Sequence, residues 1–197
     1  MGWNVVDPAP STDTAGTAEA YWDPLWRADR RYRRFDEEEA KHLRHHAGPG
    51  RGRPALDIGC GEGALVQHLH GLGFQAVGVD CAPAALATGQ LCYPHLDLRR
   101  MDFEHDDLTL LPHTAYALVT CRLVYQWIPD KPAFLARVRQ LLPPGGLFWV
   151  GTSVHDQTRG AAQAWELEAA DAELLTTGWS RVDTMTAGNY RCFALRP

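Results

Sequence analysis

Short apolar strands alternate with helical stretches from residue 54 to residue 152, and two further strands follow around a glycine turn. This order predicts an α/β domain with a three-layer, seven-stranded, mostly parallel sheet, a C-terminal antiparallel hairpin and helices on both faces. Two observations carry the prediction most of the way. The run Leu56-Asp57-Ile58-Gly59-Cys60-Gly61-Glu62-Gly63 reads as strand, glycine turn and helix start, and Val77-Gly78-Val79-Asp80 reads as the next strand. A third is bulk: 197 residues with 45% hydrophobic and 22% charged content suffice for one domain around a central sheet.

Taken in order, residues 1–16 are rich in Pro, Ser, Thr, Ala and Gly and read as a flexible tail. Residues 17–53 read as N-terminal helices forming a lid or cover. Asp23 before Pro24 looks like a helix start, with Leu25, Ala28, Tyr32 and Phe35 on one face. Asp36 with Glu39 resembles a capping box for a second helix ending near Ala47. Tyr21, Trp22 and Trp26 stand beside Arg27, Arg30, Arg31, Arg33 and Arg34. They cover the sheet with an aromatic face, or else some of them close over a pocket.

Residues 54–197 form the main domain. Pro54–Ile58 is a buried strand, Ala64–Leu72 a helix, and Ala76–Val79 a strand ending on Asp80. Asp80 follows Gly61 by 19 residues, about the spacing at which a βαβ unit presents a carboxylate to a ribose diol. The turn also exposes backbone N–H groups at a helix N-terminus, so a nucleoside cofactor site is the leading expectation, beside a ligand-free tight turn. Pro83–Leu91 is a helix and Leu96–Asp102 a less apolar strand. Asp102-Phe103 suits an adenine, through a carboxylate acceptor and a ring, or is a plain turn. Ala117–Cys121 is a buried strand, Pro129–Pro132 a turn, and Phe134–Leu142 an amphipathic helix. Leu147–Thr152 is the fifth strand and Ala161–Leu175 a helix. Ser180–Met185 and Tyr190–Leu195 are the hairpin, with Gly188-Asn189 as its turn.

A net charge of −5 argues against a general nucleic-acid or membrane-surface partner, and no apolar run approaches the length of a membrane span. Five widely spaced cysteines without a Cys-x-x-Cys pair suggest a reducing, cytoplasmic setting and no zinc site. No metal is expected, and the chain is expected to act as a monomer or homodimer.

Asp57-x-Gly59-x-Gly61-x-Gly63, together with Pro143-Pro144-Gly145-Gly146 between a helix and the fifth strand, resembles class I S-adenosylmethionine-dependent methyltransferases of the small-molecule type, over about residues 54–197. The chain departs from that pattern at Ala117, where the family often carries an acid. The resemblance implies a Rossmann-like fold, S-adenosylmethionine as cofactor and a small-molecule acceptor at an O, N or C atom. It implies cofactor roles for Asp57, Gly59, Cys60, Gly61, Asp80, Cys81, Asp102, Phe103 and Cys121. In that scheme Asp57 orients the methionyl amine, the glycines admit the cofactor, and Asp80 accepts the ribose hydroxyls. Asp102 and the Phe103 N–H read adenine, and the Cys121 carbonyl meets the amine. On the acceptor side stand Tyr21, Trp22, Trp26, Gln126 and Trp127, with Tyr125 and His155 as catalytic candidates, His155 as a base or as a solvated bystander. A nicotinamide-dependent oxidoreductase and a non-catalytic S-adenosylmethionine-binding module remain as alternatives. The former lacks a visible hydride-relay pair.

Overall fold

The structure is a computed structural model that describes residues 17–30, 35–155, 158, 163, 165–187 and 190–197. The tail, Arg31 to Arg34 and the Gly188-Asn189 turn lie outside the described residues. The helices are α1 (Ala18–Arg27), α2 (Glu37–Ala47), α3 (Ala64–Gly71), α4 (Pro83–Cys92), α5 (Lys131–Leu141) and α6 (Ala169–Thr176). The strands are β1 (Pro54–Ile58), β2 (Gln75–Asp80), β3 (Asp97–Arg100), β4 (Leu118–Arg122), β5 (Leu147–Val154), β6 (Glu166–Leu167), β7 (Arg181–Ala187) and β8 (Tyr190–Arg196). The sheet runs β3-β2-β1-β4-β5-β8-β7, parallel up to β5 and antiparallel across β8 and β7.

Alternation along the strands divides the apolar residues between the two layers. Leu56, Ile58, Val77, Val79, Val119, Phe148 and Val150 face a core completed by Phe134, Leu135 and Val138 of α5 and Leu175 of α6. Ala55, Ala76, Leu118, Leu147 and Trp149 face the other way, onto Leu43 of α2, Leu65, Val66 and Leu69 of α3, and Leu86 of α4. The chain order reverses direction between β1 and β4, which opens a crevice at the carboxyl ends of the strands.

Several elements differ from the sequence expectation. The α1 helix starts at Ala18, not after Asp23, because Thr17 caps it by accepting the Ala20 N–H at 3.3 Å. Pro24 therefore lies inside the helix, and its ring nitrogen has no hydrogen to offer the Ala20 carbonyl. Asp29, at φ +57°, ends that stretch well short of Phe35. Asp36 does cap α2, accepting the Glu39 N–H at 2.9 Å. The α5 helix starts at Lys131, inside the expected turn, because Asp130 caps it through the Ala133 N–H and Pro132 fits the first turn. The β3 strand ends at Arg100, leaving Asp102 in the following loop. The α6 helix starts at Ala169, and just before it Glu166 and Leu167 pair in parallel with Ser153 and Val154. With that short ladder the described residues contain eight strands, not seven.

Candidate active site

A cavity of about 1250 Å³ opens at the carboxyl ends of β1, β2 and β4, beneath α1. Its floor is the glycine turn. Gly59, Gly61 and Gly63 all have positive φ, at +67°, +55° and +84°, a region that costs residues with a Cβ energy. A Cβ on Gly59 would lie 2.3 Å from Val124 Cγ2. The N–H groups of residues 59–61 are bonded within the fold, whereas the first N–H groups of α3 receive no side-chain cap from Gly63. Gly59 and Cys60 both donate to the Val79 carbonyl, at 2.8 and 3.0 Å, and Gly61 donates to Asp80. The end of β2 has claimed these donors.

Asp80 closes β2 with 9% of its surface exposed. Its Oδ2 accepts the Gly61 N–H and its Oδ1 the Ala82 N–H, each at 2.8 Å. Burial raises its carboxyl above the usual range, against the opposing pull of the Ala82, Gly61 and Cys81 N–H groups. Each oxygen retains lone-pair capacity beyond these bonds.

Asp57 is 2% exposed and lines the same cavity. Its Oδ1 accepts the Thr120 hydroxyl at 2.7 Å. Burial pushes its carboxyl up to about 7, with the Thr120 bond and the Arg122 charge acting in the other direction. A buried carboxylate in this state gains most from a ligand that brings positive charge.

Farther along the wall, Asp102 accepts the Glu104 N–H at 3.0 Å, and its Oδ2 lies 2.9 Å from His105 Nδ1. That pairing raises His105 above the usual histidine range. The Phe103 ring is nearly buried, edge-on to Phe134 at 5.4 Å with the Arg137 guanidinium 5.5 Å away, so it offers the cavity little ring surface. Cys60 and Cys81 also line the cavity, and burial pushes Cys81 up to about 12.

The roof comes from the N-terminal helices. Trp26 lies over the glycine turn, its Cζ2 2.8 Å from where a Gly61 Cβ would stand. Trp22 meets Trp127 edge to face at 5.3 Å, and Tyr21, outside the lining, also meets Trp22 edge to face, at 4.8 Å. Arg122, at the carboxyl end of β4, lines the cavity and is gripped by Glu39 of α2 through bonds of 3.1 and 2.9 Å from Nε.

The structure therefore brings Asp57, Gly59, Cys60, Gly61, Asp80, Cys81, Asp102, Phe103, Trp22, Trp26 and Trp127 to one cavity. It does not bring five other expected residues to the lining. Cys121 sits inside β4, paired across to Ile58 and Val150, with its side chain in the core. Tyr125 is wholly buried beside Phe134, and its hydroxyl has no hydrogen-bond partner among the described residues. Gln126 Oε1 accepts the Thr152 hydroxyl at 2.9 Å. His155 Nδ1 lies 3.2 Å from Glu166 Oε2, with both side chains 9% exposed. Tyr21 is the fifth. Conversely, Phe35, Met101, Arg122, Leu123 and Val124 line the cavity without having been singled out from the sequence. Leu123 even adopts φ +62°, which nothing in its residue type announces.

The residues fit S-adenosylmethionine better than a dinucleotide. A buried carboxylate suits the cofactor's cationic amino-acid part, and Asp80 lines the cavity with lone pairs that suit a diol. Asp57 beside the turn also disfavours the anionic pyrophosphate of a dinucleotide, by like charge. Comparisons with known proteins agree. Residues 32–182 match the family model described as a methyltransferase domain. The chain is 29% identical over 176 residues to a protein of Paramagnetospirillum magneticum named ubiquinone biosynthesis O-methyltransferase, covering 82% of this chain and 67% of that one. It is 30% identical over 167 residues to the Bradyrhizobium sp. protein of the same name, covering 76% of this chain and 63% of that one. Among solved structures, an S-adenosylmethionine-dependent methyltransferase from Mesorhizobium loti superposes with a TM-score of 0.66 at 16% identity, covering 81% of this chain and 98% of the other. The glycopeptide N-methyltransferase MtfA bound to S-adenosylmethionine gives 0.64 at 14%, covering 81% and 92%. At such identities these two structures speak for the fold.

Proposed function

The chain belongs to the class I S-adenosylmethionine-dependent methyltransferases, and from that premise we propose that it methylates an oxygen of a small molecule held beneath α1. The observation that carries the reading is the union of Asp57, Asp80 and the glycine turn with Trp22, Trp26 and Trp127 around one cavity. Its volume exceeds the about 300–1,000 Å³ of ordinary small-molecule pockets, and its roof is aromatic. The oxygen acceptor is suggested by the curated relatives, which are named O-methyltransferases and of whose length the chain spans about two thirds.

S-adenosylmethionine supplies the electrophilic methyl group. This chain's residues do the holding. Asp57 takes the cationic amino-acid part, Asp80 the ribose hydroxyls, and Asp102 with the Phe103 backbone the adenine. The helices α1 and α2 cover the site and exclude water, and Trp22, Trp26 and Trp127 position the acceptor. Tyr125 and His155 lie off the cavity wall, so the proposal gives them no contact with the acceptor.

Thermal-shift measurements with S-adenosylmethionine, S-adenosylhomocysteine, NAD and NADP, followed by a screen of hydroxylated acceptors with product mass, test this. Stabilisation by the first two and a methylated oxygen product are expected. Stabilisation by NAD instead, or methylation of amines alone, would overturn the cofactor or the acceptor assignment respectively.

A further inference from the structure

The N-terminus of α4 has no local cap. Its N-cap residue is Ala82, which has no side-chain acceptor, and Pro83 follows without an N–H. Ala84 is thus the first residue of the helix body whose N–H needs a partner. The partner arrives from 61 residues earlier, since Ala84 N donates to Asp23 Oδ1 at 2.7 Å. The other Asp23 oxygen accepts Arg27 Nε at 2.6 Å within α1. The Ala84 N–H holds the Asp23 carboxyl below its ordinary value, as expected for an anion at the positive end of a helix.

Asp23 joins two things that matter to the site. On one side, the same turn of α4 binds Asp80, through Ala82 N. On the other, α1 carries Trp22 to Trp127 and Trp26 over Gly61. Among the described residues none of α1 is buried, so the helix has no apolar anchor in the core. A second tie, Glu19 to Arg100 at the end of β3, is partly exposed, at 36% and 64% of the side chains, and is correspondingly weak.

We propose that Asp23 is a latch: its bond to the α4 terminus holds α1 closed over the cavity and sets how fast the cofactor exchanges. Asp23 is a positioning residue, acting through Trp22 and Trp26. The proposal rests on the reading of α1 as the cover of a cofactor site.

The test uses the full chain, with S-adenosylhomocysteine as the probe and tryptophan fluorescence in a stopped-flow instrument as the readout. Asp23→Ala should speed S-adenosylhomocysteine release about tenfold, equivalent to about 1.4 kcal/mol. Amide exchange should also quicken in α1. Asp23→Asn keeps an acceptor oxygen and should stay much closer to wild type. Adding Ala82→Ser to Asp23→Ala supplies a local cap, which should restore the melting temperature but not the slow release. Slow release restored by Ala82→Ser would make Asp23 merely the cap of α4 and overturn the latch. So would unchanged release from Asp23→Ala in a wild type that binds the probe. A wild-type chain that binds no S-adenosylhomocysteine would instead overturn the cofactor reading underneath.

Discussion

Asp80 Oδ2 accepts the Gly61 N–H at 2.8 Å, so the acid that faces the cavity also holds the shape of the turn beside it. Its other oxygen holds the Ala82 N–H at the start of α4. Asp80→Ala therefore removes a cofactor acceptor and strands two donors, each worth about 1–3 kcal/mol if left unsatisfied. We expect S-adenosylhomocysteine affinity to fall more than ~10-fold by calorimetry, together with a lower melting temperature. Unchanged affinity in a folded variant would remove Asp80 from the site.

Gly61 is constrained twice, by φ +55° and by the Trp26 ring 2.8 Å from where a Cβ would stand. Gly61→Ala should cost about 1–2 kcal/mol from the backbone alone, with a further loss from the ring. Adding Trp26→Ala should relieve only the second part, so denaturant unfolding of the double variant should show less than additive loss. Strict additivity would mean that the ring does not press on the turn.

The position of Asp57 predicts a pH dependence with a definite sign. Its carboxyl moves from 3.8 to about 7 on folding, so between those values the folded chain keeps a proton that the unfolded chain has released. This contribution to cofactor-free stability is fully present below 3.8 and is lost as the pH rises to about 7. Binding of a cationic cofactor favours the carboxylate, so affinity should rise with pH up to about 7 and binding at pH ~6 should release protons. Calorimetry in buffers of different ionisation enthalpy reads this directly, and Asp57→Asn should flatten the profile.

Glu39 and Arg122 form an ion pair with side chains 1% and 12% exposed. Removing Glu39 alone leaves a nearly buried cation next to the cavity, a change that costs about 3–5 kcal/mol in comparable pairs. The double variant Glu39→Ala with Arg122→Ala should therefore be destabilised by less than the sum of the two single changes. Gly151→Ala should also destabilise, because its Cβ would stand 2.6 Å from Glu39 Oε1. Denaturant titrations of these variants check both.

The Trp22–Trp127 contact separates a lid from a structural cover. Since none of α1 is fully buried among the described residues, Trp22→Ala should cost less stability than the about 3–5 kcal/mol of truncating a core tryptophan. Turnover should nevertheless fall strongly. A variant whose activity loss merely tracks its melting temperature would make α1 a cover only.

The parts legible from sequence are those that local chemistry decides. Gly59, Gly61 and Gly63 announced a turn because only glycine adopts those φ values cheaply, and the structure places all three there. Short apolar runs bounded by Gly and Pro revealed β1, β2, β4 and β5, and the spacing of Asp80 from Gly61 revealed that the two meet at the turn. What tertiary structure alone decided depends on which distant segments meet. Asp23 looked like the start of its own helix but caps α4, because the packing of α1 directly against α4 brings that terminus to it. Glu39 looked like half of a capping box, yet its carboxylate binds Arg122, 83 residues away. Tyr125 and His155 stood at strand ends where a catalytic group belongs, but one ring turned into the core and the other toward Glu166. A residue's type states which partners it can satisfy. Only the packing of the sheet and its helices determines which partner is within reach.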